Sequence, residues 1–119
     1  DLGKWWNART PNWPMPLGGN VVRRDLGEDI MQDITKYTKM SIEHALNSPE
    51  DALEFAKAWG RGIDDETNKE FVSMYVNDRT IDYQQEGRDS VRLFIKEGQE
   101  LGMIRSDFDT ANMRFIGEP

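Results

Sequence analysis

Residues 25–46 read DLGEDIMQDITKYTKMSIEHAL, and this stretch decides the fold class of the chain. Its apolar residues recur every three or four positions, which is the spacing of a helix with an apolar face. Asp25 is placed to cap the first turn, and Glu28 stands in the reciprocal position of a capping box. We therefore predict a helix that extends to about Leu46. Its face is lined by Leu26, Ile30, Ile34, Tyr37, Ser41 and Ala45, and is widened by Met31, Thr38, Ile42 and Leu46.

A second helix is predicted to follow at once. Ser48 and Pro49 are typical of an N-cap and a first helical position, since proline lacks the N–H that this position leaves unbonded. Gly60 and Gly62 can end this helix. Its buried side is predicted to contain Ala52, Leu53, Phe55, Ala56 and Trp59.

Two more helices are predicted in the remainder of the chain. Asp64 is the expected cap of one that ends near residues 77–78, after which residues 80–83 are expected to be extended or turn-like. The last helix is predicted from about Gln85 to Leu101. Gly102 then suits a left-handed C-cap, behind which Met103 or Ile104 packs back.

The front of the chain has a different pattern. A short helix is predicted over residues 1–9, and three prolines within six positions then favour extended backbone up to Pro16. Residues 21–24 are predicted to form a short strand. A strand this short needs hydrogen-bonded neighbours, so we expect its partners to lie outside the sequence or in another copy of the chain. The predicted fold of this sequence is mainly α-helical, with one or two short strands.

Composition excludes several classes of function. The chain has 119 residues, a net charge of −7 and no cysteine, so a uniformly basic nucleic-acid surface, a thiolate zinc site and a cysteine nucleophile are not expected. No apolar run approaches the ~20 residues that span a bilayer. The chain begins at Asp1 rather than at a methionine, so we expect it to be processed or cut from a longer protein.

The residues that could do chemistry are sparse. His44 is the only histidine, and its neighbour Glu43 lies on a different side of the predicted helix, so the two cannot act as a pair. The acids at 64–66 are those expected at a helix start, and Arg23-Arg24 is expected to face solvent. No phosphate-binding glycine motif and no nucleophile elbow are present. No catalytic residue, metal site or cofactor is therefore predicted.

One segment, residues 14–20, is shaped in a way that suits ligand binding. Rigid prolines lead into Gly18 and Gly19, where backbone amides can approach a ligand without side-chain obstruction. An ordinary connecting loop explains the same residues, and both interpretations stay open. Trp5, Trp6 and Trp13 crowd this end of the chain, and packing against a missing lobe is favoured over a stacking platform.

Three strings carry a resemblance to a known family. They are Asp1-Leu-Gly-x-Trp-Trp6, Pro14-Met-Pro-Leu-Gly18 and Arg23-Arg-Asp-Leu-Gly27, and weaker agreement continues to about residue 104. Together they resemble the 1,4-dihydroxy-6-naphthoate synthases of the futalosine route to menaquinone, more closely than the related chorismate dehydratases. The resemblance implies a C-terminal fragment of a cytoplasmic lyase that converts cyclic dehypoxanthinylfutalosine to 1,4-dihydroxy-6-naphthoate without a cofactor.

The resemblance also implies a parent α/β fold of the type II periplasmic-binding-protein kind, with two lobes and a cleft between them. Residues 1–16 would then end the second lobe, residues 17–24 would be a hinge strand, and residues 25–119 would be C-terminal helices of the first lobe. The histidine assigned as the base in this family precedes the first string and is absent here, so His44 does not inherit its role. The residues expected to line the substrate cleft are Leu17, Gly18, Gly19 and Asn20.

The implied partner is a small-molecule substrate, bound by the full-length protein, with no nucleic acid and no membrane involved. A homo-oligomer that pairs through the exposed front strand also stays open. The fragment itself is expected to be inactive. Two alternatives to the enzyme remain, namely a solute-binding protein with the same kind of cleft and a self-contained helical interaction module.

Overall fold

A computed structural model describes residues 1–59, 62 and 64–117, and in these residues the chain is helical with no β-strand. The prediction of a mainly helical chain is confirmed, and the prediction of a short strand at residues 21–24 is wrong. Gly60, predicted to end a helix, lies outside the described residues. The helices are α1 (Leu2–Arg9), α2 (Glu28–Asn47), α3 (Pro49–Lys57), α4 (Asp65–Tyr75), α5 (Asp78–Ile81) and α6 (Gln84–Glu100), with single 3₁₀ turns at Arg24–Leu26 and Thr110–Asn112.

The chain divides into two compact units, which we call the anchored unit and the open unit. The anchored unit contains residues 1–24 and 83–119, with α1 and α6 as its helices. The open unit contains residues 25–82, with α2 to α5. The last helix of the chain, α6, belongs to the same unit as the front segment.

Trp6 is the centre of the anchored unit, and its side chain has no solvent exposure. The ring packs edge-on against Phe94 of α6, with 5.8 Å between centroids. At the start of α1 the Asp1 side chain accepts a hydrogen bond from the backbone N–H of Lys4, which satisfies one of the free donors of the first turn. Arg9, at the end of α1, pairs with Glu97 at 2.6 Å. These contacts hold α1 against α6.

The end of α6 agrees closely with the sequence prediction. Gly102 has a φ of +69°, in the left-handed region that a residue with a Cβ disfavours. Its N–H donates to the carbonyl of Gln99, and the N–H of Met103 donates to that of Gly98, which is the bonding pattern of a Schellman motif. Ile104 then packs back against Gly98, as the sequence predicted.

Residues 21–24 do not form the predicted strand. Val21 is 99% exposed, and the backbone from 13 to 23 has no regular structure. A strand requires a ladder of hydrogen bonds to a neighbouring strand, and none of the described residues forms a strand. Extended backbone preference alone cannot replace those bonds, so the segment passes directly into the turn at Arg24–Leu26.

The predicted capping box at the start of α2 is also wrong. The helix begins at Glu28, and its N-cap is Gly27, which has a φ of +84° and no side-chain cap. Asp25 lies within the preceding 3₁₀ turn, where it is too early in the chain to cap α2. In this open unit Met31 is the one large apolar side chain that is buried among the described residues.

The starts of α3 and α4 were predicted correctly. Ser48 is the N-cap of α3, although its side chain makes no capping bond, and Pro49 is the first helical residue. Asp64 caps α4 by accepting the backbone N–H of Thr67 at 2.9 Å. That hydrogen bond, together with one from the Thr67 hydroxyl, lowers the pKa of the Asp64 carboxyl.

Two other predictions for this unit are wrong. Phe55 and Trp59, assigned to the buried side of the second helix, are each 75% exposed. Residues 80–83, predicted to be extended or turn-like, instead include the end of the short helix α5. Asn77 starts this helix with a capping box, since its side chain accepts from the backbone and Thr80 bonds back to it.

Candidate functional site

The four residues predicted to line a substrate cleft lie together on irregular backbone of the anchored unit. Leu17, Gly18, Gly19 and Asn20 are all exposed, and they follow the half-buried residues 13–16. Exposed backbone beside a fixed support is a suitable surface for a ligand, because its amide groups are not occupied by helix or sheet bonds. The support for this segment comes from α6 and from the C-terminal residues.

Ser90 fixes the start of this segment to α6. Its side chain is completely buried, and its hydroxyl donates to the carbonyl oxygen of Pro14 at 2.6 Å. The same hydroxyl oxygen accepts the indole N–H of Trp6 at 2.8 Å. One hydroxyl thus joins three parts of the chain, namely α1, the proline segment and α6. Both buried polar partners are satisfied, which removes the penalty of leaving either one unbonded.

Gly87 and Gly19 mark the places where the segment and α6 come close. A Cβ on Gly87 would lie 3.1 Å from the Cβ of Tyr83 and 4.0 Å from the Cγ of Pro14. A Cβ on Gly19 would lie 3.2 Å from the hydroxyl oxygen of Tyr83, whereas one on Gly18 would meet nothing within 4 Å. Gly19 therefore lies close to Tyr83, whereas the space beside Gly18 is open.

Behind Tyr83 lies an aromatic and cationic cluster. Tyr83 packs edge-on against Phe115 at 6.0 Å, and the guanidinium of Arg92 lies 5.0 Å from the Phe115 ring. Arg92 also pairs with Asp89 at 3.1 Å and donates to the carbonyl of Met113 at 3.4 Å. These contacts hold the C-terminal residues against α6 and so fix the position of Tyr83.

The sequence did not identify Tyr83, Ser90 or Phe115 as parts of this site. The contact between Trp6 and Ser90 spans 84 positions, so no local periodicity could have indicated it. One signal was present, because a glycine inside a helix, such as Gly87, often marks a close approach of another backbone. That signal points to a contact but does not say which segment makes it.

The sequence offered two other candidate groups, His44 and the arginine pair at residues 23–24. His44 is exposed in the last turn of α2, which belongs to the open unit. Arg24 lines a separate open depression of about 480 Å³ in the anchored unit, together with Phe108, Asp109, Asn112 and Met113. None of residues 17–20 lines that depression.

The groups available at this site are suited to binding a ligand. Its members offer backbone amides, the Asn20 amide and the Tyr83 hydroxyl, without a paired base and nucleophile among the described groups. Within the described ranges, no group of three or more histidine, cysteine or acidic side chains could hold a metal ion. Such an arrangement can position a polar, flat molecule.

The comparisons with known proteins concern nearly the whole chain. A model of the family described as menaquinone biosynthesis matches residues 1–100. A 1,4-dihydroxy-6-naphthoate synthase of Thermus thermophilus is 36% identical over 103 residues, which are 87% of this chain and 38% of that protein. A protein of the same name from Streptomyces coelicolor is 24% identical over 104 residues, which are 87% of this chain and 36% of the relative. The resemblance found in the three sequence strings is confirmed.

The chain thus spans less than two fifths of the length of the curated relatives that it matches. No solved structure matches the chain. Within the part of the chain that the structure describes, no helix is both long enough and apolar enough to cross a membrane.

Proposed function

The chain belongs to the menaquinone biosynthesis family, and from this we propose that it is part of a 1,4-dihydroxy-6-naphthoate synthase. The reaction proposed is the conversion of cyclic dehypoxanthinylfutalosine to 1,4-dihydroxy-6-naphthoate, in the cytoplasm and without a cofactor. The observation that carries the proposal is the 36% identity to the Thermus thermophilus synthase over 103 residues.

The part that this chain plays is proposed to be one wall of the substrate cleft, with the wall formed by residues 17–20. Exposed backbone amides and the Asn20 side chain would bind the polar substituents of the substrate. The Ser90 hydroxyl supports this role, since it fixes the chain only three residues before Leu17. The contact between Gly19 and Tyr83 supports it from the other end of the wall.

The catalytic groups are proposed to come from sequence equivalent to the rest of the relatives' length. A two-lobed α/β parent fold, with this chain contributing the end of one lobe and helices of the other, would bring both parts to one cleft. The chain alone is then a binding wall without its reacting groups. We propose that it has no turnover by itself.

A chimaera tests this function directly. The 103 matched residues of this chain replace the corresponding residues of the Thermus thermophilus relative, and formation of 1,4-dihydroxy-6-naphthoate is followed by chromatography. We expect turnover by the folded chimaera and none by the chain alone. A folded chimaera that binds the substrate without converting it would contradict the proposal and favour a solute-binding role. Turnover by the isolated chain would contradict the proposal that the catalytic groups come from the rest of the enzyme.

The cleft wall is tested by Asn20→Ala in the same chimaera. If Asn20 binds the substrate equally in the ground and transition states, its loss raises KM and leaves kcat unchanged. Asn7→Ala is the matched control, because Asn7 is also an exposed asparagine but lies in α1, away from residues 17–20 in the sequence. An unchanged KM for Asn20→Ala would remove this residue from the proposed wall.

Self-association through the front segment stays a prediction. Residues 17–24 have irregular backbone, and pairing with another copy would require them to become extended. Light scattering of the purified chain over a range of concentrations tests it, with a rise in mass that Val21→Pro abolishes as the expected result. A mass that does not depend on concentration would refute the prediction.

A further inference from the structure

Helix α2 is apolar over more of its circumference than one packed layer requires. At 100° per residue, its apolar side chains cover roughly 200° of the circumference, against the ~100° stripe of a helix that lies on a core. One part of this arc contains Met31, Ile42 and Ala45, which are buried or half-buried. The other part we call the open face, and it consists of Ile30, Ile34, Tyr37 and Met40.

The described residues cover the open face only in part. Its four side chains are between 41% and 63% exposed. Their spacings of four, three and three residues place them in a row along one side of α2, which is the register of a helix packed against another layer. A helix with apolar rows on two sides is typical of the interior of a larger protein rather than its surface.

The total solvent-exposed surface of the chain also indicates that this polypeptide is part of a larger protein. Two separate compact globules of half this mass would together expose roughly 8,000 Å². The chain exposes 9474 Å². The relatives are more than two and a half times as long as their matched segments, since 103 residues are 38% of one of them. The large exposed area of the chain and the greater length of its relatives have a common explanation. Both indicate that polypeptide outside the matched segment covers the open face.

Charge distinguishes this cover from a second copy of the chain. Residues 25–82 contain 14 acidic and 6 basic side chains, a net charge of −8, whereas the remaining residues contain 8 acidic and 9 basic ones. Asp29 and Asp33 border the open face at a spacing of four, where like charges destabilise a helix. Neither carboxylate has an ion-pair partner in the part of the chain that the structure describes.

We propose that the open face of α2 is the docking surface for the part of the enzyme outside the matched segment, and that this part presents lysine or arginine side chains to Asp29 and Asp33. The proposal rests on the proposed function in one respect, because it takes the covering polypeptide to be the rest of that enzyme. Cationic groups at the rim remove the repulsion between the two aspartates, while the apolar row is buried beside them. A second copy would bring two surfaces of the same sign together.

The test uses thiol labelling, for which this chain is well suited because it contains no cysteine. Ile34→Cys places a thiol on the open face, and Gln32→Cys places one on the polar side of α2 as the matched control. Both variants are made in the isolated chain and in the Thermus chimaera, with the other cysteines of the chimaera replaced by serine. The rate of reaction with a maleimide is measured in each folded protein.

The expected result is that the thiol of Ile34→Cys reacts quickly in the isolated chain and at least tenfold more slowly in the chimaera. The thiol of Gln32→Cys should be equally reactive in both proteins. Equal rates for Ile34→Cys in both proteins would overturn the proposal. Protection of this thiol in the isolated chain as its concentration rises would also overturn it, because the cover would then be a second copy.

Mixing the isolated chain with the rest of the relative, as a separate polypeptide, provides a second measurement that does not depend on folding of the chimaera. The isolated Ile34→Cys chain is titrated with a polypeptide that contains only the unmatched part of the Thermus relative, and protection of the thiol is followed at low and high salt. We expect the protection of the thiol to weaken as the salt concentration rises. Asp33→Lys should reduce this protection, and Asp33→Asn should reduce it by a smaller amount. No protection at either salt concentration would overturn the proposal. Protection without turnover by the chimaera would leave this interface intact and refute the proposed function instead.

Discussion

The anchored unit and the open unit use their aromatic residues in opposite ways. In the anchored unit Trp6 has no solvent exposure, and its indole N–H reaches a buried hydroxyl on α6. In the open unit the large aromatic residues Phe55, Trp59 and Phe71 are at least half exposed. Apolar content does not separate the two units, since both are similarly rich in apolar side chains. Our proposal explains this difference, because under it the anchored unit contains both sides of its core and the open unit contains one side only.

Replacement of Trp6 by alanine should have the largest effect on this contrast. Loss of a fully buried tryptophan costs about 3–5 kcal/mol, because the lost contacts and the cavity add. We expect Trp6→Ala to unfold the anchored unit, as measured by amide exchange in α6, and to leave exchange in α2 unchanged. Trp5→Ala is the control, since Trp5 is 48% exposed and should cost much less. Equal effects of the two replacements would contradict the assignment of Trp6 as the centre of the anchored unit.

The Ser90 hydroxyl should have the next largest effect. Ser90→Ala leaves the Trp6 indole N–H and the Pro14 carbonyl without their partner, and an unsatisfied buried polar group costs about 1–3 kcal/mol. The same change should loosen residues 14–20 and raise KM in the chimaera. Urea unfolding and steady-state kinetics measure the two effects. A loss of stability without any change in KM would mean that the Ser90 hydroxyl stabilises residues 14–20 but does not contribute to substrate binding.

Gly102→Ala should have a smaller effect. The space around Gly102 is open, so the cost comes only from its φ of +69°, and amounts to about 1 kcal/mol. The expected result is fraying of the last turn of α6, detected as faster amide exchange at Met103 and Ile104. Gly18→Ala is a suitable control for stability, because Gly18 has open space and no left-handed backbone. Equal costs at both positions would contradict the left-handed assignment.

Ile34→Gln in the isolated chain should have the smallest effect. Ile34 lies on the open face and is 41% exposed, so its replacement should change the stability of the chain by no more than about 0.5 kcal/mol. In the chimaera, where we propose that this residue is covered, the same replacement should be clearly destabilising. Thermal unfolding of both proteins checks the difference. A large cost in the isolated chain would mean that the open unit has a core of its own.

The sequence predicted those features that neighbouring residues decide. Pro49 and Asp64 begin their helices as expected, and Gly102 ends α6, because caps depend on hydrogen bonds within a few residues. The cleft-wall residues were placed on one accessible segment, but their role is still a prediction. The site as a whole could be identified from the sequence only as a segment with rigid prolines and adjacent glycines.

The features that the sequence predicted wrongly are those that depend on distant partners. Val21 is suited to a strand, but a strand exists only when another strand bonds to it, and the described residues contain none. Trp59 has the spacing of a core residue but is exposed. The prediction failed because periodicity shows which face of a helix is apolar and does not show what covers that face. The contact between Trp6 and Ser90 could not be predicted at all, since no short-range pattern links residues 84 positions apart.

Residue-resolved amide exchange of the isolated chain tests the central claim most directly. If only the anchored unit contains both sides of its core, amides in the middle of α6 should exchange at least about tenfold more slowly than those in the middle of α2, a difference of more than ~1.4 kcal/mol in opening free energy. In the chimaera the α2 amides should become as well protected as those of α6. Equal protection of α2 and α6 in the isolated chain would contradict the account.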